Sequence, residues 1–313
     1  MKRIIIALFA LVAGASSLAA GGLSPADDLP KQDLRLLQIS NAIMAANAAL
    51  CDRTMPDLGV ALQSTDQYSG GGAPPFAAPV AFAEVIPGSV AAEAGIARDD
   101  GLIAIDGKAI AKRPGLEQAP LRDSAFAMLA DHPTGTPLVL DIAHASERRE
   151  VSLHVRPECR ALVEVLADNG NTAHSDGRVI QISYGLASRA DDRQLAAIFA
   201  HELGHLVLHH RDRLSAAGVK KGLLGSLGRD RRLNLQAEAE ADRMSVYLLS
   251  NAGMDPRAGP GLWRSPLGRR ISSGHQSGAD RAKLMDAEIA AHVTGRPPYV
   301  PTDLLAQRTQ PMR

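Results

Sequence analysis

Hydrophobic positions recur at two different periods along this chain, and the change of period divides it. Residues 31–50 (KQDLRLLQISNAIMAANAAL) contain no Gly or Pro, and Leu34, Leu37, Met44 and Ala48 fall near helical spacing. They predict an amphipathic helix that ends before Cys51. Short apolar runs follow at Val80–Val85, Gly101–Ile105, Pro137–Ala143 and Glu150–Val155. These read as strands parted by turn signals such as Pro87-Gly88 and Asp106-Gly107, with one short helix around Ser124–Ala130. The tract Ser69–Pro75, rich in Gly and Pro, reads as a loop. From Ala161 onward the helical period returns. Arg178–Ser183 is a strand candidate, Asp191–His210 a long helix capped by Asp191 or Asp192, and Ala237–Asn251 a second helix stopped by Asn251-Ala252-Gly253. Between those helices lies the Gly-rich, partly apolar segment Ser215–Asp230, and the Pro-rich stretch after residue 296 predicts an irregular tail. The expected class is α+β.

The chain has 313 residues, of which 45% are hydrophobic and 22% charged, a composition with ample material for a core. Its length suggests two domains. Basic and acidic residues balance at 34 each, so the net charge is zero and the basic footprint of a nucleic-acid binder is missing. The first residues carry a different message. Lys2 and Arg3 precede an apolar run from Ile4 to Ala13, and small residues continue to Ala20. That order is the signature of a secretory signal peptide over residues 1–20, cut near Ala19 or Ala20. The run is shorter than the roughly 20 apolar residues a membrane span needs. The expected location is therefore periplasmic or secreted. Two cysteines in an exported chain predict a disulfide between Cys51 and Cys159.

The strand-rich region carries a resemblance. Val85-Ile86-Pro87-Gly88-Ser89 through Gly95-Ile96, continuing to Leu102-Ile103-Ala104-Ile105-Asp106-Gly107, is similar to the central part of a bacterial PDZ domain. The similarity spans residues 56–156. It implies that Leu58-Gly59-Val60 is the turn whose backbone N–H groups receive a peptide C-terminus. Asp57 departs from that pattern, because it would oppose a carboxylate. Cys51 and Cys159 bracket this segment, so their disulfide would staple the base of an inserted domain, whose ends must lie close together. The leading helix, assigned to residues 30–51, then belongs with the domain of residues 159–296.

His201-Glu202-Leu203-Gly204-His205 is an H-E-x-x-H motif inside a predicted helix. Residues four apart share a helical face, so both imidazoles can reach one zinc ion with Glu202 beside its open position. Zinc brings the pKa of water to about 7, and a carboxylate can pass the released proton to a departing amine. A catalytic zinc needs a third protein ligand. Arg211 stands where an extended motif would place a third histidine, which points to Glu238-Ala239-Glu240-Ala241-Asp242 instead. On a helix Glu238 and Asp242 share a face, whereas Glu240 points about 200° from Glu238. Glu238 is thus the expected ligand, and Asp242 the carboxylate that orients a ligating histidine.

Together these residues resemble the M48 family of zinc metallopeptidases, in which H-E-x-x-H is followed by E-x-x-A-D. The similarity extends to Asn171-Thr172-Ala173, to Gly177–Leu186 and to Tyr247–Pro256, over residues 160–290. His275 and Arg281 fit a His-Pro-x-x-x-x-Arg segment in which Gln276 replaces proline. The family implies a mainly helical zincin-type domain with a small sheet, one zinc per chain and endopeptidase activity on polypeptides. It also implies an active-site role for His275, a supporting one for Arg281, and a substrate-aligning edge at Val179–Ser183 carrying Ile180 and Ile182. The competing class is a PDZ-based binding or chaperone-like protein with a latent peptidase domain. Lys220 and Lys221 in the Ser215–Asp230 segment would meet anionic headgroups if that segment touched a membrane, or the segment could fold over the active site.

Overall fold

A computed structural model describes residues 25–68, 76–114, 119–145, 147–219, 228–271 and 277–313. The expected signal peptide, the Ser69–Pro75 tract, Lys220 and Lys221, and His275 lie outside the described residues. The fold is α+β. Among the described residues no helix is long and apolar enough to cross a membrane.

The leading helix α1 spans Pro25–Ala46 and is followed by a 3-10 turn at Ala48–Leu50. It begins earlier than its apolar pattern indicates, with Pro30 inside its first turns. A two-stranded ladder joins β1 (Thr54–Pro56) to β8 (Pro157–Cys159), pairing Thr54 with Cys159. Between these strands the chain forms a sheet of β2 (Val60–Ser64), β3 (Val80–Val85), β4 (Gly101–Ile105), β6 (Leu138–His144) and β7 (Glu147–Leu153), in that spatial order, with β5 (Lys108–Ala109) beside β4. The short helix α2 spans Val90–Glu93, and α3 (Pro120–Ala130) packs Phe126 and Leu129 onto the sheet's apolar face. The predicted strands and the short helix are all present: Val80–Val85 and Gly101–Ile105 have the expected bounds, and the others shift by up to four residues at an end. Cys51 and Cys159 form a disulfide with Cα atoms 5.5 Å apart.

The second core is larger. A three-stranded sheet places β11 (Val179–Ser183) between β10 (Ala173–Ser175) and β9 (Leu162–Leu166). Around it lie α1, α4 (Tyr184–Ala187), α5 (Asp192–Val207), α7 (Gly228–Asn251) and α8 (Ala258–Arg264), whose Leu36, Ile180, Phe199, Leu203, Leu248 and Leu262 share one apolar cluster. Asp191 caps α5 through a reciprocal capping box with Gln194. The helix ends at Val207, three residues sooner than expected, because His209 adopts a left-handed conformation (φ 51°). A separate helix, α6 (His210–Ala216), then leaves in a new direction. The expected Ser215–Asp230 loop is accordingly shorter, since α6 covers its start and α7 begins at Gly228. After α9 (Pro266–Ile271) and α10 (Gly278–His292), the tail is not irregular throughout: α11 spans Thr302–Gln307, and Met312 is buried against Leu233 and Ala237.

The two cores are joined by polar as well as apolar contacts. Arg122 of α3 pairs with Glu164 of β9, and the Asn41 amide of α1 bridges Asp57 (2.7 Å) and Glu158 (3.0 Å). Leu58, Gly59 and Val60 do not line an open groove. They face a seam of about 30 Å³ shared with Leu37 and Met44 of α1 and Leu162 of β9. Leu58 is buried and the Gly59 carbonyl accepts from the Ile86 N–H at 2.8 Å. The reason is tertiary: the outer edge of β2 is packed against α1 and β9.

Candidate metal centre and cleft

The site is assembled by two helices that approach closely. Helix α5 presents His201, Glu202 and His205 to one cleft. Helix α7 crosses it at Gly204, where an added Cβ would lie 3.1 Å from the Ala241 carbonyl oxygen and 3.3 Å from the Ala241 Cα. A glycine inside a helix costs about 0.5–1 kcal/mol relative to alanine, and here it lets the helices meet near Glu238.

The imidazole Nε2 atoms of His201 and His205 are 3.1 Å apart. Glu238 places one carboxylate oxygen 3.4 Å from His201 Nε2 and the other 3.6 Å from His205 Nε2. Ligands about 2.1 Å from a tetrahedral zinc stand about 3.4 Å from one another, so these three donors fit that ion. Among the described residues they form the one cluster of three or more metal-ligating side chains with this spacing.

A second layer holds the donors in place. His201 Nδ1 faces Asp242 Oδ1 at 3.0 Å. Arg281 donates to both oxygens of Asp242, at 2.6 and 2.7 Å, and reaches Glu238 at 3.4 Å while its guanidinium lies 3.5 Å above the Trp263 ring. On the other side His205 Nδ1 meets His210 Nδ1 at 2.9 Å, and His210 Nε2 meets Glu240 at 3.1 Å.

Burial and charge shape the titration of the group. Burial disfavours a charged His201, yet its contacts with Asp242 and Glu238 outweigh that and raise its pKa to about 10. Burial likewise opposes ionisation of Glu238, but His201, His205 and Arg281 hold it well below the usual carboxylate range. Glu202 is different: burial dominates and pushes it up to about 7. That value suits a group which must both accept and return a proton near neutral pH. Burial lowers His205 and His210, and Glu240 is held at about 2 because His210, Arg213 and Gln236 outweigh its burial.

The donors sit in a cleft of about 420 Å³ whose walls include Ile198, Leu262, Trp263 and β10. The substrate-aligning edge expected at Ile180 and Ile182 is not there. Both side chains are fully buried, and β11 is hydrogen-bonded on both sides. Among the described residues the free edge beside the cleft belongs to β10. Thr172 accepts from Ser183 N–H and Asp176 donates to Val179, so by the alternation of an antiparallel pair Ala173 and Ser175 turn their backbone groups away from β11.

The structure thus brings His201, Glu202, His205, Glu238, Asp242 and Arg281 together. It adds His210, Glu240, Arg213 and Trp263, which sequence reasoning does not place in the site. His210 has no helical phase relation to His205 that would betray it, and Trp263 carries no motif. Residues 161–227 match the model of peptidase family M48. No curated protein matches the chain. The matched span holds His201, Glu202 and His205 and stops before Glu238, whose place in the site rests on geometry. M48 peptidases are zinc metalloproteases, so the match and the donor cluster support a zinc metallopeptidase acting on polypeptides.

Proposed function

We propose that the chain is an exported zinc metalloendopeptidase, with one zinc held by His201, His205 and Glu238 and with Glu202 as general base. The observation that carries this reading is the convergence of three donor atoms from two helices at tetrahedral spacing beside a buried carboxyl. When bound, zinc supplies a Lewis acid that acidifies water and polarises a peptide carbonyl. Glu202 takes the proton as water adds to the carbonyl carbon, then returns it to the nitrogen as the C–N bond breaks. The open edge of β10 suits an extended substrate strand, to which Ala173 and Ser175 would offer backbone hydrogen bonds. His275 keeps its active-site role on the M48 resemblance alone. The disulfide supports export, since such bonds persist in oxidising compartments. Residues 56–156 are read as a PDZ-like insert that acts as a docking element rather than a receptor for free C-termini, because the Leu58–Val60 turn is packed against α1 and β9.

The test compares casein cleavage and zinc content of the wild type with those of Glu202→Gln. The variant should keep its zinc and lose roughly 10²–10⁴-fold in rate. Cleavage at the wild-type rate by zinc-loaded Glu202→Gln would remove Glu202 from the chemistry.

A further inference from the structure

His205 is the one ligating histidine whose outer partner is another histidine. The chain of contacts runs from His205 Nδ1 to His210 Nδ1 (2.9 Å) and from His210 Nε2 to Glu240 Oε2 (3.1 Å). Glu240 is anchored in turn by Arg213 Nη1 at 2.6 Å and by Gln236 Nε2 at 2.8 Å. Arg213 also donates to the Gln310 carbonyl at 3.0 Å, which ties the chain to the C-terminal segment. His210, Arg213 and Glu240 are all buried. A carboxylate already bound by a guanidinium is an acceptor only, so the His210 Nε2 facing it donates. The neutral imidazole of His210 then has an accepting Nδ1, and the His205 Nδ1 opposite must carry the hydrogen. That assignment leaves His205 Nε2 with its lone pair turned toward His201 and Glu238.

We propose that His210 is a positioning residue, held by Glu240 and Arg213, that fixes His205 in the tautomer and ring orientation needed to bind the metal through Nε2. Outer partners of this kind tune metal affinity by about 10–100-fold. The left-handed His209 ends α5, and α6 starts at His210, whose Nε2 meets Glu240.

This inference rests on the zinc reading of the site, and its test separates the two. Zn²⁺ affinity of the full chain is measured by competition with a chromophoric chelator for the wild type, His210→Phe and His210→Asn, with far-UV circular dichroism as the check on folding. His210→Phe should bind zinc at least about tenfold more weakly. His210→Asn should recover part of that loss, because its Oδ1 can still accept from His205. Equal affinity of the wild type and a folded His210→Phe would overturn the inference while leaving the zinc site intact. A wild type that binds no zinc would instead overturn the metal reading itself. If His210→Phe does not fold, nitrogen-15 NMR of the zinc-loaded wild type decides. His210 protonated on Nε2 alone and His205 on Nδ1 alone is the expected pattern, and a hydrogen on His210 Nδ1 refutes it.

Discussion

Arg281→Met removes a guanidinium that is bound to a carboxylate with no solvent exposure. The Asp242 side chain is fully buried, and Arg281 supplies two of its hydrogen bonds. Methionine preserves much of the packing over Trp263 but leaves Asp242 with His201 as its remaining charged neighbour. Breaking a buried ion pair by deleting one partner costs about 3–5 kcal/mol, largely because the other charge is stranded. At roughly 2–4 °C per kcal/mol for a chain of this general size, Tm should fall by about 6–20 °C. If stranding is the cause, neutralising Asp242 in the same molecule must relieve it. Arg281→Met with Asp242→Asn should therefore recover about 1.5–3 kcal/mol relative to Arg281→Met alone, within the coupling seen for contacting residues. Asparagine keeps an oxygen that can accept from His201 Nδ1, so the rescue does not disturb that ligand. The assay is urea unfolding of wild type, both single variants and the double, in the presence of a chelator so that metal binding does not contribute. Far-UV circular dichroism should follow it, since the chain's single tryptophan, Trp263, stacks on Arg281 and reports the site itself. Additive effects within about 0.5 kcal/mol would show that Asp242 is not stranded, and the reasoning would fail.

Two further outcomes follow from groups away from the cleft. Burial raises the Asp33 carboxyl, which accepts from the Val165 N–H, to about 7. The folded chain then holds a proton there that the unfolded chain releases near its ordinary value, so this contribution to stability is full below about pH 4 and is lost as pH rises through 7. Asp33→Asn should flatten the fall in urea midpoint between pH 5 and 8, and an unchanged slope would reject it. The Cys51–Cys159 disulfide closes a separation of 108 residues. Replacing both cysteines by serine should cost about 4–5 kcal/mol in the chain-entropy estimate, and labelling of free thiols in the protein purified without reductant would contradict the bond.

Local chemistry alone determined a large part of this molecule. The four-residue spacing of His201 and His205 places them on one helical face wherever that helix packs. The spacing of Glu238 and Asp242 does the same, which is why the candidate metal donors, Glu202 and Asp242 are legible in the residue pattern itself. Turn residues and a period of two likewise mark the strands between Val80 and Leu153. Tertiary structure decided the rest, for reasons with no local signal. No glycine or asparagine announces the left-handed turn at His209, so the pattern runs the helix on to His210 and hides its contact with His205. Glu240 points away from Glu238 on its helix, yet α6 packs there and draws it into the site through His210. The strand at Val179–Ser183 is legible, but whether it is central or an edge depends on which strands pair with it. β9 and β10 take both its sides, and the open edge passes to β10. The Leu58–Val60 turn leads into β2 of the six-stranded sheet. What closes it is the packing of α1 and β9 against it, through Leu37, Met44 and Leu162, which no local pattern announces. Spacing within one element survives folding unchanged, whereas contacts between elements depend on how their buried faces meet.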